Sequence, residues 1–297
     1  MADFTIFDST IELPVAELKQ RAASLVGFER RFARVFANLK QLLAPDELKA
    51  WSTTHHGKLL PAIASLADRY PLVILAGDAG TGKTVSAEVI ADRMVREMKK
   101  EGFFIKLSTR VRGEGLHGQM AQLVNDAFAQ LKKLAGKDKL AFLLIDEADA
   151  IATSRATAQM HQEEKAAVNT LIQKIDETRE LKGRTVVFMS TNRLHYLDEA
   201  IVRRAALVMQ FDRPDEMERQ ELLEMELDGV DLTTKQLAEL VTMTGPTANA
   251  GVGYSFSDLR LRMVPEAIAL VYPNKPLTFA ALKEAIGNMQ PSPPIQA

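Results

Sequence analysis

The chain has 297 residues, 46% of them hydrophobic and 26% charged, with a net charge of −2 and no cysteine. That length accommodates one large domain and a smaller companion. Lack of Cys excludes disulfides and thiolate-held zinc, no run reaches the ~18 apolar residues of a membrane span, and the near-neutral charge supplies no overall basic field for nucleic acid.

The opening residues, MADFTIFDSTIELP, carry neither the basic nor the apolar region of a secretory signal, so a cytoplasmic protein is expected. Residues 1–24 are weakly patterned and read as an arm or linker. From Gly27 onward, Phe28, Phe32, Val35, Phe36, Leu39, Leu42 and Leu43 form a helical stripe, and Pro45 opens a second helix through Leu48 and Trp51. THHGKL (Thr54–Leu59) reads as a polar loop, in which adjacent His55 and His56 share no face and make a poor metal pair. A helix over Leu59–Tyr70 leads through Pro71 into an apolar strand, Leu72–Ala76.

Further buried strands are predicted at Phe103–Leu107, Leu140–Ile145, Thr185–Met189 and Val208–Phe211, with helical periodicity between them. This alternation over 70–212 predicts a parallel sheet with helices on both faces. Beyond Asp212-Arg213-Pro214 the pattern is helical to about Met289, at 214–228, 233–243, 255–271 and 277–288. The domain reading is an arm at 1–24, an α/β subdomain at 25–212, a helical subdomain at 213–289 and a Pro-rich, disordered tail at 290–297.

Between the first strand of that alternation and its helix lies Gly77-Asp78-Ala79-Gly80-Thr81-Gly82-Lys83-Thr84, which fits G-x-x-x-x-G-K-[ST]. Glycines let backbone N–H groups curl around phosphate oxygens at a helix N-terminus. Lys83 is placed for the β- and γ-phosphates and the Thr84 hydroxyl for Mg²⁺, with Val85 completing the nucleotide-binding stretch. The loop alone predicts ATP or GTP. Asp146, at the carboxyl end of a buried strand, is placed to hold Mg²⁺ through its water shell. Glu147 points the other way and can act as general base on an attacking water. Asp149 reads as a helix N-terminal residue rather than a second metal ligand.

Asn192, at the tip of the next strand, can hydrogen-bond the γ-phosphate or the lytic water. The segment LDEAIVRRA (197–205) ends in Arg203-Arg204, too far from the phosphates of its own subunit. An arginine finger reaching a neighbouring subunit is therefore expected, with Arg204 preferred as the finger and Arg203 as its interface partner.

Residues 77–84 as Walker A, LLIDEAD (143–149) as Walker B, Asn192 as sensor 1, the arginine pair and the helical C-terminal part together resemble an AAA+ ATPase. The resemblance implies a P-loop NTPase of α/β class, with a five-stranded parallel sheet followed by an all-helical lid. It also implies hydrolysis of ATP with Mg²⁺ and a ring, commonly a homohexamer. Within AAA+ the chain resembles the pachytene-checkpoint family, which remodels HORMA-domain proteins. Residues 103–128, 167–176, 197–205 and 259–270, the last with Pro265, carry that resemblance.

By family position Leu116 and His117 belong to the pore loop, with Leu116 where an aromatic is usual, and sensor 2 falls on Arg260 or Arg262, Arg260 being preferred. With Walker A starting at residue 77, the adaptor-binding domain of eukaryotic members is not expected. A compact bacterial type is expected, similar to components of nucleotide-signalling antiphage operons that act on HORMA proteins. Two alternatives stay open: a clamp- or helicase-loader type, with Lys106, Arg110 and Arg112 lining the pore, and a generic AAA+ unfoldase.

Overall fold

Six strands form one sheet: β1 (Phe7–Leu13), β2 (Tyr70–Gly77), β3 (Gly102–Leu107), β4 (Leu140–Ile145), β5 (Thr185–Thr191) and β6 (Ala205–Phe211), in the order β1-β3-β4-β5-β2-β6. The computed structural model describes residues 6–66, 68–107, 119–155 and 162–295. Between the strands lie α1 (Ala16–Ala23), α2 (Phe28–Leu43), α3 (Pro45–His56), α4 (Pro61–Leu66), α5 (Lys83–Glu97), α6 (Gln119–Ala135), α7 (Gln162–Glu177) and α8 (Glu199–Val202). Strands β3, β4, β5 and β2 run parallel, and their registers pair Lys106 with Leu144, Ile145 with Met189 and Ala76 with Thr191. Their carboxyl ends therefore finish at one level, the side of an open α/β sheet at which ligands generally bind.

The sheet is buried on both faces, as near-continuous apolar strands require. Leu72, Ile74, Ile105, Leu143, Ile145, Val187 and Met189 pack with Leu123, Ala127 and Leu131 of α6 and with Val168, Leu171 and Ile175 of α7. Their alternating neighbours Val73, Leu75, Phe104, Phe142, Leu144, Val186 and Phe188 are buried as well.

Six strands replace the expected five because the supposed arm contributes one. β1 is antiparallel to β3, pairing Ile11 with Phe104 and Leu13 with Gly102. Its sequence FDSTIEL alternates, with Phe7, Ser9, Ile11 and Leu13 turned inward and Asp8, Thr10 and Glu12 exposed. An antiparallel edge strand on a parallel sheet is a common closure. The turn after β1 is tied to α5: the Val15 N–H donates to Asp92 Oδ1 at 2.6 Å, Arg96 Nε donates to Asp92 Oδ2 at 2.7 Å, and Arg96 Nη2 donates to the Val15 carbonyl at 2.8 Å.

The expected loop at Thr54–Leu59 is also shorter than read, since α3 continues to His56 and stops where Gly57 turns left-handed at φ 67°. Trp51 lies 5.9 Å from His55 and 5.3 Å from His56, ring centre to ring centre, an apolar contact one turn along the helix that the polar composition hid.

Contacts divide the chain into two units: Met1–Ala22, Phe28–Ala76 and Thr84–Gln210 in one, and Ala23–Gly27, Gly77–Lys83 and Phe211–Ala297 in the other. The second holds α9 (Glu216–Glu226), α10 (Thr234–Met243), α11 (Phe256–Asp258), α12 (Val264–Val271) and α13 (Phe279–Gly287). Reciprocal capping boxes start three of them, Asp215 with Glu218, Thr233 with Gln236 and Ser255 with Asp258. Leu222, Leu223, Leu240, Tyr254, Leu259, Met263, Leu282 and Ile286 form the core of this unit. A π-helical turn, Leu259–Met263, separates α11 from α12. Pro265 accounts for it: with no N–H to donate, it leaves a carbonyl of the preceding turn unmatched, and the turn widens.

The tail, read from sequence as disordered over 290–297, is held by hydrogen bonds as far as Ile295. Tyr254 Oη donates to the Met289 carbonyl at 3.1 Å, and the Ser292 and Ile295 N–H groups donate to Asp258 and Asp78. Pro291, Pro293 and Pro294 have no such group, so the two residues among them that do are the ones used.

Asp92 is buried and receives both the β1 turn and Arg96. Asp92→Ala should cost on the order of 2–4 kcal/mol in urea unfolding, because it strands a guanidinium and a backbone N–H, with Asp92→Asn costing less. Unchanged stability in Asp92→Ala would contradict this tethering of β1.

Candidate functional site

The glycine loop folds around its own lysine. Lys83, only 7% exposed, donates from Nζ to the Gly77 carbonyl at 2.9 Å and the Asp78 carbonyl at 2.6 Å, and Thr81 Oγ1 donates to Asp78 O at 2.8 Å. Gly77, Gly80 and Gly82 have φ of 145°, 72° and 88°. At Gly77 an added Cβ would run into the Phe211 carbonyl, and at Gly80 it would sit 2.7 Å from Ser257 Cβ and 2.9 Å from Ser255 Oγ. Gly82 faces open space, which suits a cradle for phosphate oxygens. The Ser257 N–H donates to Gly80 O at 3.0 Å, so the start of α11 rests on the loop. Asp78 points outward, accepting from the Ala79 N–H at 2.8 Å and from Arg213 Nε at 2.6 Å.

In the other unit, Asp146 lies one residue beyond β4. Its Oδ2 accepts from Thr84 Oγ1 at 2.9 Å and from Lys106 Nζ at 2.9 Å, and its Oδ1 from the Glu147 N–H at 3.1 Å. Burial, the largest single influence, pushes the Asp146 carboxyl up, but Lys106, Thr84 and Ser190 together hold it below the usual carboxylate range. A hydroxyl and an ionised carboxylate in contact are a hard oxygen pair suited to Mg²⁺, which keeps most of its ligands as water or phosphate. Among the described residues no group of three or more His, Cys, Asp or Glu could hold a metal by itself.

Glu147 is exposed, with φ 48° and ψ 47°. A left-handed conformation is uncommon for a side chain of this size and costs on the order of 1 kcal/mol or more. It turns the carboxylate away from the strand, where it can meet solvent. Asn192, half-buried, follows β5 directly. Val85 is half-buried in the first turn of α5. Asp149 accepts from Thr191 Oγ1 at 2.8 Å, joining the ends of β4 and β5 in a structural role.

The two arginines of 203–204 separate. Arg204, with 25% of its side chain exposed, grips Asp176 with Nε at 2.6 Å and Nη2 at 3.1 Å, and donates to the Ala200 carbonyl at 2.9 Å. Its guanidinium holds the Asp176 carboxyl below the usual range. Arg203, 80% exposed, pairs with the equally exposed Glu199 at 3.1 Å. Arg260 binds Glu226 at 2.6 Å and the Ser24 carbonyl at 2.9 Å, and Arg262 binds Asp258 at 2.6 Å. The arginine on the phosphate loop is instead Arg213. Leu116, His117, Arg110 and Arg112 lie outside the described residues.

Two residues were missed by sequence reasoning. Lys106, taken as a possible pore cation, is paired with Asp146, and the signal for it was a lone charge inside the apolar strand FFIKL. Arg213 looked like a linker residue, and nothing in the local sequence connects it with Asp78, 135 positions away.

The family described as ATPase family associated with various cellular activities (AAA) matches residues 73–213. CD-NTase-associated protein 6 of Escherichia coli (strain KTE188) is 45% identical over 294 residues, covering 99% of this chain and 98% of its own length. A chain of the solved E. coli MS115-1 HORMA:CdnC:Trip13 complex is 37% identical with a TM-score of 0.91, over 98% of this chain and 97% of that one. Rhizobiales Trip13 is 32% identical with a TM-score of 0.76, over 97% and 100%. No helix among the described residues is long and apolar enough to cross a membrane.

Asp258, 1% exposed, accepts from Ser255, Ser292 and Arg262, which overcome the upward push of burial and bring its carboxyl to about 2 against an ordinary 3.8. A carboxyl lowered on folding stabilises above its unfolded pKa and loses that contribution as pH falls through its folded one, here on the order of 2 kcal/mol lost between about pH 4 and pH 2. Asp258→Asn should lower the unfolding midpoint at neutral pH, and its deficit relative to wild type should shrink over that acid range. A deficit independent of pH would contradict the ionised role.

Proposed function

The chain belongs to the AAA family of ATPases, and on that premise we propose that it is a ring-forming ATPase that remodels a HORMA-domain protein in a bacterial antiphage signalling system. Residues 25–212 serve as the ATPase subdomain and 213–289 as its lid. Gly77–Thr84 and Val85 receive ATP, with Lys83 exchanging the Gly77 and Asp78 carbonyls for phosphate oxygens. Thr84 and Asp146 hold Mg²⁺, partly through water, and the ion when bound offsets charge on the phosphate oxygens. Lys106 neutralises Asp146 until then. Glu147 takes the proton of the attacking water, which Asn192 orients.

Within the arginine pair we now favour Arg203. Arg203 reaches solvent and is the better finger toward a neighbouring subunit, while Arg204, gripping Asp176, fixes the end of α8. Arg260 serves the lid as a brace between Glu226 and Ser24 and is no longer favoured as the nucleotide sensor. Leu116 and His117 keep the pore-loop assignment, in a homohexamer that grips an extended substrate segment.

For the substrate, the observation that carries the reading is likeness over nearly the whole chain to a member of a HORMA:CdnC:Trip13 complex. The loader alternative is weakened because Lys106, one of its three cations, is spent on Asp146.

A Glu147→Gln variant should bind ATP, retain a HORMA-domain protein in a stable complex and hydrolyse roughly 10²–10⁴-fold more slowly. Wild-type hydrolysis by this variant would remove Glu147 from the mechanism, and stimulation by DNA rather than by the HORMA protein would favour the loader. Mixing Arg203→Ala subunits with Lys83→Ala subunits should recover ATPase activity that neither has alone. If only Arg204→Ala subunits complement Lys83→Ala, the finger is Arg204.

A further inference from the structure

The segment after α13 continues through hydrogen bonds to the phosphate loop. Ser292 spends every polar group it has: its N–H donates to Asp258 Oδ2 at 3.2 Å, its Oγ to Asp258 Oδ1 at 2.6 Å, and its carbonyl accepts from Arg213 Nη2 at 2.7 Å. Arg213 in turn donates from Nη1 to the Gly253 carbonyl at 2.7 Å and from Nε to Asp78 Oδ2 at 2.6 Å. Three residues further on, the Ile295 N–H reaches Asp78 Oδ1 at 3.2 Å. Arg213 and Asp78 are 14% and 15% exposed, so the pair is screened from water on most sides.

We propose that the C-terminal segment is a positioning element for ATP binding: Ser292 sets Arg213, and Arg213 with the Ile295 N–H sets Asp78 and so the curvature of the phosphate loop. The inference rests on the reading of Gly77–Thr84 as the ATP-phosphate loop and goes beyond it.

The physical need comes from the loop's composition. Three glycines at positive φ give it the freedom to bend around phosphates, and the same freedom is entropy that must be lost on binding. A loop held in its bound shape beforehand binds more tightly. The Asp78 side chain points outward to a partner able to hold it. Since that carboxylate neutralises Arg213, the arginine acts as a support rather than a phosphate ligand. The charge-assisted bond is the strong link and the Ile295 bond the weaker one.

Full-length Arg213→Ala and Ile295→Pro test this, the second deleting only an N–H in a stretch already rich in proline. ATP affinity by calorimetry should fall roughly tenfold for Arg213→Ala and about threefold for Ile295→Pro, with kcat at saturating ATP within about twofold of wild type. Asp78→Ala combined with Arg213→Ala should be no weaker than either alone, because the two act through one bond. Unchanged affinity in Arg213→Ala, additive losses in the double variant, or a fall in kcat at unchanged affinity would overturn the proposal, whatever happens to Tm. Should Arg213→Ala not fold, Ile295→Pro decides it alone, and wild-type affinity there overturns the proposal. Lys83→Ala separates the two readings: if it still binds ATP as wild type, the phosphate-loop reading itself falls. If it loses ATP while Arg213→Ala and Ile295→Pro keep it, only the positioning role falls.

Discussion

One carboxylate sets the terms for the catalytic half of this protein. Asp146 stands at the end of a strand buried on both faces, half out of water, and stays ionised because Lys106, Thr84 and Ser190 supply donors. Each donor comes from a different element, β3, α5 and β5, and the parallel registers bring those elements to finish at the same level. A sheet with another strand order would bury the charge without partners, at a cost of several kcal/mol. The topology and the electrostatics thus depend on each other.

The loop side of the nucleotide machinery follows a different logic. Its glycines give curvature, and charged side chains outside it restrain that curvature. Asp78, Arg213, Ser292 and Asp258 form a connected series in which nearly every donor and acceptor is used, and such networks are rigid when fully satisfied. One member, Ser292, belongs to a Pro-rich segment whose composition alone suggests disorder.

Much was legible in the sequence where chemistry depends on neighbours in the chain. GDAGTGKT and LLIDEAD stand out because loop, strand end and acidic pair are each contiguous, and the structure puts them at the ends of β2 and β4, while hydrophobic runs located five of the six strands. What stayed hidden depends on partners far away in sequence. β1 alternates with low hydrophobic amplitude, and its identity as a strand comes from β3, some ninety residues later. The contrast between Arg203 and Arg204 is invisible in a dipeptide, since only Asp176, on another helix, tells them apart. The π turn before Pro265 likewise redirects Arg260 toward Glu226 in a way no helical wheel shows.

We propose Asp146 as a metal-holding carboxylate rather than one half of a buried ion pair with Lys106. Calorimetric titration of ATP with and without Mg²⁺, for wild type and Asp146→Asn, tests it most directly. Mg²⁺ should strengthen binding to wild type at least tenfold and leave Asp146→Asn nearly unaffected, with the two proteins alike when Mg²⁺ is absent. An Asp146→Asn variant that keeps the full Mg²⁺ enhancement would contradict it.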